Sequence, residues 1–292
     1  MTFWTLDRLG QALSRELRGA IPRGTAPLGR VSTDTRGLQA GDVFVALRGE
    51  RFDAHDFLAA AVTGGASSLI VEDPTLVAAS GVPIFVVADT LRALASLGQF
   101  RRRAWGRPIV AIAGSNGKSS TKELVRASLG AIFEVHATTG NLNNFVGVPL
   151  TLLGIPDHAD VAVVEIGTNH PGEVEALRAL VQPEVAVVTS IGEEHLEGLV
   201  DLTGVLREEC AVYRDVALAI APAEQPEVGN AARALAKRTL EAGLSAGDIR
   251  PDDWGLGRDG RVWLQLGALR ETLPLRGAHN ARNAMLALTV AR

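Results

Sequence analysis

The chain predicts an α/β fold: a small α/β first domain followed by a larger domain on a mostly parallel sheet. Three observations carry this. Helical periods alternate with short β-branched runs from the start. The later runs "IVAIA", "DVAVVEI", "EVAVVTSI" and "DVALAIA" are apolar without alternation, as strands covered on both faces must be. Between the two halves, "RRRAWGRP" breaks the pattern with charge and Gly-Arg-Pro punctuation, so it reads as a linker.

Taken in order, apolar spacing predicts a helix over Thr5 to Leu17. Strand "DVFVAL", helix "HDFLAAAVTGG", strand "SSLIVED" and strand "PIFVVAD" follow, and then a helix from Thr90 to Trp105. A cut near Gly106 gives domains 1–106 and 107–292. In the second, the four strands are separated by helical segments containing "TKELVRASL", "GEVEALRAL" and "TGVLREECAVY". Toward the end, "RVWLQLG" and "ETLPLRG" read as a β pair and "HNARNAMLALTVAR" as a helix.

Composition narrows the function. With 292 residues, 47% of them apolar, a large core is available. The net charge of -4 lacks the basic field that nucleic acid demands, so any phosphate site must be local. The single cysteine, Cys210, cannot form an internal disulfide, and a cytoplasmic setting is expected. The first residues carry no secretory signal pattern, and no apolar run approaches the ~20 residues of a membrane helix.

The chemistry begins at "GSNGKSSTKE", where a strand runs into a helix. The usual phosphate loop is G-x-x-x-x-G-K-[ST], but counting back from Gly117 puts Ile112 at the first position, so the loop is shortened. Unpaired N–H groups of the loop and first helical turn, with the helix dipole, suit an anion there. Gly114, Ser115, Asn116 and Gly117 would wrap the phosphates, with Ser120 in the first helical turn. Lys118 would reach the terminal phosphates and Ser119 would offer a hydroxyl to Mg²⁺. The bland reading is an ordinary helix start.

In a doubly wound sheet, ligands collect beyond the strands' carboxyl ends. Glu165 closes "DVAVVEI" and His195 follows "EVAVVTSIGEE", so a carboxylate and an imidazole are candidates for the divalent-metal site that phosphoryl transfer needs. Taken singly, a strand-end acid facing water and a loop histidine satisfied by backbone explain each better; together with the phosphate loop on neighbouring strands, the metal reading gains. In "ATTGNLNNFVGVPLTLL", Thr139, Asn141, Asn143 and Asn144 precede an apolar helix, either as neutral donors to a ligand or as a polar capping loop.

Together, "VSTDTRGLQAGDVFVALRGERFDAHDF", "GSNGKSSTK", "TTGNLNNFVGVPLTLL", "EIGTNHPGEV", "SIGEEHLEG" and "LRGAHNARNAMLA" resemble the Mur ligases, in order and from Val31 to the end. Within that family they are most similar to the D-alanyl-D-alanine-adding branch. The resemblance implies an ATP- and Mg²⁺-dependent amide ligase of peptidoglycan precursor synthesis. In that reaction the carboxylate of UDP-N-acetylmuramoyl-tripeptide becomes an acyl phosphate, which the amine of D-alanyl-D-alanine attacks. It implies a monomer working without nucleic acid or membrane insertion.

By the same resemblance Lys118, Glu165 and His195 are catalytic, and Ser119, Glu165 and His195 hold magnesium. His279, Asn280 and Asn283 match "HNxxN", whose second asparagine faces the base. Ser32, Asp34, Thr35 and Arg36 match the motif at the uridine end of the substrate, though an Asp-Thr turn cap is the plainer explanation. Asn169 and His170 match the stretch assigned to the peptide substrates.

Two departures stand out. Where the family commonly carries a lysine modified by CO₂ to a carbamate that fixes magnesium, this chain has Glu209, and no lysine occurs between Lys122 and Lys237. Glu209 is therefore expected to supply the carboxylate directly, against the plainer reading of a solvated acid. The family also has a third, closing domain, which the resemblance does not find before Arg292; on that expectation the chain is a poor ligase alone. Alternatives are another ligase of the Mur or folylpolyglutamate type, and a non-catalytic nucleotide-binding module.

Overall fold

The structure, a computed structural model, describes residues 3–49, 52–73, 75, 81–192 and 201–292. The chain divides into two compact units: Met1–Trp105 with Phe145–Gly154, and Gly106–Asn144 with Ile155–Arg292. The boundary between Trp105 and Gly106 coincides with the cut expected from the sequence, while Phe145–Gly154 packs with the first unit.

In the first unit, α1 (Leu6–Ala12) opens on Thr5, whose Oγ1 accepts from the Arg8 N–H at 3.2 Å. The expected helix to Leu17 stops early, because Leu17 bridges to Val87 and Arg18 N–H donates to the Val86 carbonyl at 2.7 Å. Next come β1 (Val31–Ser32), β2 (Val43–Val45), α2 (Leu58–Thr63), β3 (Ser68–Val71), β4 (Ile84–Val86) and α3 (Thr90–Trp105). The strands form a parallel sheet in the order β1-β2-β3-β4. Alternation along each strand builds two cores. Val43, Val45, Ile70 and Phe85 pack with Leu9, Leu94 and Leu97, whereas Phe44, Leu69 and Val71 pack with Leu58 and Ala61.

The second unit starts with β5 (Ile109–Ala113), α4 (Lys118–Leu129) and β6 (Val135–Ala137). The chain then gives α5 (Gly147–Leu153) back to the first unit, where Val146, Leu150 and Leu153 pack on the core containing Leu94 and Leu97. It resumes with β7 (Val161–Glu165), α6 (Glu173–Val181), β8 (Val185–Val188), α7 (Leu202–Cys210), β9 (Leu218–Pro222), α8 (Pro226–Leu235) and β10 (Thr239–Ala242). The final elements are β11 (Asp253–Leu256), β12 (Arg261–Leu266), β13 (Leu269–Arg276) and α9 (Ala278–Val290).

Six parallel strands lie in the order β10-β9-β8-β5-β7-β6, so every residue of central β5 is buried. From β5 the chain goes to one edge and later crosses to the other side, which puts the topological switch at the carboxyl end of β5. On one face Val110, Ile112, Val163 and Val187 meet Val125 of α4 and Met285 of α9. The expected β pair is part of a three-stranded antiparallel sheet, β11-β12-β13, whose Val262 and Leu264 join the same core.

Tyr213, the chain's one tyrosine, is fully buried; its hydroxyl donates to the Ile220 carbonyl at 2.8 Å and accepts from the Val188 N–H at 3.1 Å. Burial pushes its phenol well above the usual range, so the hydroxyl keeps its proton. Tyr213→Phe strands a buried donor and a buried acceptor and is expected to lower stability by about 2 kcal/mol in urea unfolding. A loss under about 0.5 kcal/mol would show those groups to be satisfied elsewhere.

Candidate active site

The phosphate loop lies at the switch point, between the end of β5 and the start of α4. Gly117, at φ 88°, turns the chain into α4, and no side chain caps that helix start. Hydrogen bonds to the end of β8 fix the loop: Ser115 N–H donates to the Ser190 carbonyl at 2.7 Å and Thr189 Oγ1 to the Asn116 carbonyl at 2.6 Å. Gly192 N–H donates to Ser115 Oγ at 2.9 Å. Lys118 Nζ arches over the loop and donates to the carbonyls of Gly114 and, at 2.9 Å, Ser115.

Beside this loop, at the end of β7, Glu165 is 2% exposed and so does not face water. Ser119 Oγ donates to its Oε2 at 2.9 Å, and Asn143 Nδ2 donates to its Oε1 at 2.9 Å. Buried Lys122, which sequence reasoning passed over, holds its Nζ 3.9 Å from Glu165 Oε2 and donates to the Thr138 carbonyl at 2.8 Å. Asn143 thus serves the carboxylate rather than a helix cap, since α5 starts at Gly147 behind its N-cap Val146 with no side-chain cap. Thr139, Asn141 and Asn144 are exposed. Expected metal ligand His195 lies outside the described residues.

Ser119 and Glu165 together offer a hydroxyl and a carboxylate next to a phosphate cradle. Among the described residues no three His, Cys, Asp or Glu gather as a metal cage. Few protein ligands plus substrate phosphates is how magnesium is usually held, so these residues fit that ion.

Glu209 is not solvated: it is 2% exposed, and its Oε2 accepts from the Gly114 N–H at 2.7 Å. Next to it, Cys210 has its thiol pushed up to about 12, by burial first and then by Glu209 and Glu227, which leaves it inert as a nucleophile. Glu208 is also buried, and accepts from the N–H groups of Gly172 at 2.6 Å and Val174 at 2.8 Å. The side chains of Asn169 and His170 are exposed, while their N–H groups donate to Glu173 Oε2 at 2.6 and 3.1 Å.

In α9, buried Asn283 lies against the phosphate loop; a Cβ on Gly117 would come within 2.9 Å of its Nδ2 and Oδ1. Asn280 Nδ2 donates to the Arg276 carbonyl at 2.8 Å and lies 3.1 Å from exposed His279 Nε2.

The first unit carries its own cavity, of about 510 Å³, lined by Thr33, Asp34, Thr35, Arg36, Phe44, Phe52, Ala54 and Phe57. Asp34 is both a turn cap and an ion-pair partner. It accepts from the Arg36 guanidinium at 2.7 Å and from the Arg36 N–H at 2.9 Å, which in that order hold its carboxyl at about 2. Ser32 Oγ buttresses the turn, accepting from the Asp34 N–H at 3.3 Å. In the same lining Phe52 and Phe57 stack, 5.2 Å apart and tilted 20°, with both rings exposed. Sequence reasoning missed this pair; exposed-side aromatics flanking "DAHD" were the available signal.

Residues 112–291 match the family model for the Mur ligase middle domain, and residues 28–102 that for the Mur ligase family, catalytic domain. The chain is 36% identical over 294 residues to the UDP-N-acetylmuramoyl-tripeptide--D-alanyl-D-alanine ligase of Escherichia coli (strain K12), a match covering 97% of this chain and 63% of that protein. It is 33% identical to the Bacillus subtilis (strain 168) ligase of the same name, covering 88% of this chain and 57% of the relative.

Among solved structures, MurF from Acinetobacter baumannii superposes with a TM-score of 0.87 at 34% identity, covering 99% of this chain and 64% of that one. MurF ligase from Thermotoga maritima in complex with ADP gives a TM-score of 0.78 at 27% identity, covering 89% and 62%. The chain thus spans less than two thirds of the length of these relatives. With its middle-domain match running from the end of β5 through α9, the chain belongs to the Mur ligase family.

Proposed function

We propose that this chain carries the nucleotide-handling and uridine-recognising parts of an ATP-dependent amide ligase that adds D-alanyl-D-alanine to UDP-N-acetylmuramoyl-tripeptide. The observation that carries the reading is Glu165, buried at the end of β7 with Ser119 of the phosphate loop on one carboxylate oxygen and Asn143 on the other. The names of the relatives support the choice of substrates.

In this reading the loop N–H groups and the uncapped start of α4 bind the ATP phosphates. Ser119 and Glu165 would hold magnesium, His195 with them, and bound magnesium offsets charge on the phosphoryl oxygens. Lys118 turns its ammonium from the loop carbonyls to the γ-phosphoryl group as it passes to the tripeptide carboxylate. ADP leaves an acyl phosphate; the amine of D-alanyl-D-alanine attacks its carbonyl carbon, the C–O bond to phosphate breaks, and the amine loses a proton. The chain supplies no nucleophile. His279, Asn280 and Asn283 sit on the nucleotide side, and Thr139, Asn141, Asn144, Asn169 and His170 on the peptide side. The cavity in the first unit takes uridine, with Arg36 toward its phosphates and the Phe52–Phe57 stack toward the base. Nucleotide-linked substrates place the reaction in the cytoplasm, with the chain acting as a monomer.

Calorimetry tests this directly. MgATP and UDP-N-acetylmuramoyl-tripeptide should each bind saturably, and phosphate release should require both together with D-alanyl-D-alanine. Binding of neither ligand overturns the reading, and MgATP binding with no response to the UDP-peptide indicates a nucleotide module instead.

A further inference from the structure

Resting on that functional reading, a second role emerges for helix α7. We propose that its last turn is a two-armed brace: Glu209 holds the phosphate loop and Glu208 holds the turn that presents Asn169 and His170. Both are positioning residues.

Adjacent residues of a helix point about 100° apart, so two neighbouring side chains can serve different partners. One carboxylate goes to Gly114, accepting its N–H at 2.7 Å in a buried setting. The other supplies the cap that α6 lacks. Gly172 stands at the N-cap of α6 with no side chain to offer, and Glu208 accepts there from Gly172 and Val174 N–H groups and from Thr168 Oγ1 at 3.2 Å.

Buried carboxylates are costly unless each is hydrogen-bonded, and N–H groups aimed at an anion are the strong form of that bond. Neither arm is therefore interchangeable with an apolar residue. The turn held by Glu208 is further pinned from inside by Glu173, which accepts from Asn169 and His170 N–H groups. Its conformation is thus set by carboxylates, leaving the exposed side chains of Asn169 and His170 free to meet a ligand. One short helix fixes both the phosphate side and the peptide side of the second unit's site.

The test pairs residue-resolved amide exchange by NMR with calorimetry on Ala and Gln variants of each arm. Gln keeps a neutral acceptor of the same length. Glu209→Ala should speed Gly114 amide exchange at least about tenfold and weaken MgATP about tenfold, the size of one buried hydrogen bond, while Glu209→Gln stays within about threefold. Glu208→Ala should speed exchange at Gly172 and Val174 and weaken UDP-N-acetylmuramoyl-tripeptide about fivefold, with UDP alone and MgATP within about twofold. Should an Ala variant not fold, the Asp variant, one methylene short, replaces it with the same expectations.

Unchanged exchange at Gly114 in Glu209→Ala overturns the brace. So does Glu209→Gln losing MgATP as fully as Ala with Gly114 still protected, which reassigns Glu209 to the metal. Amide exchange that changes in the Ala variants as described, in a chain whose wild type binds no MgATP, keeps the brace and overturns the functional reading alone.

Discussion

Gly114→Ala is expected to abolish MgATP binding, weakening it at least about a hundredfold, and to destabilise the chain by about 3 kcal/mol. Gly114 sits at φ 120°, a backbone conformation that L side chains rarely adopt, and an added Cβ would stand 2.4 Å from Thr189 Oγ1 and 2.8 Å from Thr189 N. A hydroxyl can rotate, but this one already donates to the Asn116 carbonyl at 2.6 Å, and the backbone nitrogen of Thr189 cannot move without unpairing β8 from β5. The loop must instead lift away from β8. That breaks the bond from Ser115 N–H to the Ser190 carbonyl and draws Gly114 N–H away from Glu209. The donors that should face phosphate then no longer converge, and preorganisation is what such a cradle contributes. Urea unfolding with calorimetry checks both numbers; MgATP binding within about threefold of the parent would show that loop geometry does not set affinity.

The same region marks how far the sequence could be read. Strands such as "IVAIA" announced themselves because every residue is buried, so hydrophobicity and position in the sheet are one signal. β1, of two residues, and the half-buried β6 carry too little apolar pattern to stand out, and β11 becomes visible only by pairing with β12. Lys118, Ser119 and Glu165 were legible because a phosphate loop and a strand-end acid are local features, and a parallel sheet brings strand ends together.

Glu208 and the partner of Glu209 were not. In "REEC" Glu208 looks like a solvated acid and Glu209 stands out only through the resemblance, as a metal carboxylate, whereas the N–H groups they hold lie 36 and 95 residues away in sequence, at Gly172 and Gly114. Asn143 is similar: three asparagines before a helix suggest donors to a ligand or a polar capping loop, and only the tertiary fold, 22 residues on, turns its amide to Glu165. That α5 packs on the first unit was not legible, because its apolar face records that it is buried, not against what. Burial of a charge is decided by its partners, which composition and periodicity do not encode.

Glu165 separates fold from function in two variants. In Glu165→Ala, Lys122 keeps a buried ammonium, with the Thr138 carbonyl at 2.8 Å and Glu123 Oε1 at 3.3 Å as its remaining partners. Breaking a buried pair costs about 3–5 kcal/mol when the survivor is left alone; these partners should reduce the loss to about 2–3 kcal/mol. Asn143 and Ser119 also lose their acceptor, so the turn around Gly167, whose N–H donates to the Asn143 carbonyl at 2.8 Å, should loosen. Glu165→Gln keeps the volume and one carbonyl acceptor, and should cost about 1 kcal/mol. It nevertheless removes the negative charge beside Ser119, and a neutral amide is a poor ligand for a hard dication. The magnesium concentration that half-supports ATP binding should therefore rise at least about thirtyfold in Gln as in Ala, although the two differ in stability. A magnesium titration of ATP binding at fixed nucleotide, beside urea unfolding, resolves the two effects. If the Gln variant titrates like the parent, magnesium does not sit on this carboxylate, and Glu165 is then a structural counter-ion to Lys122.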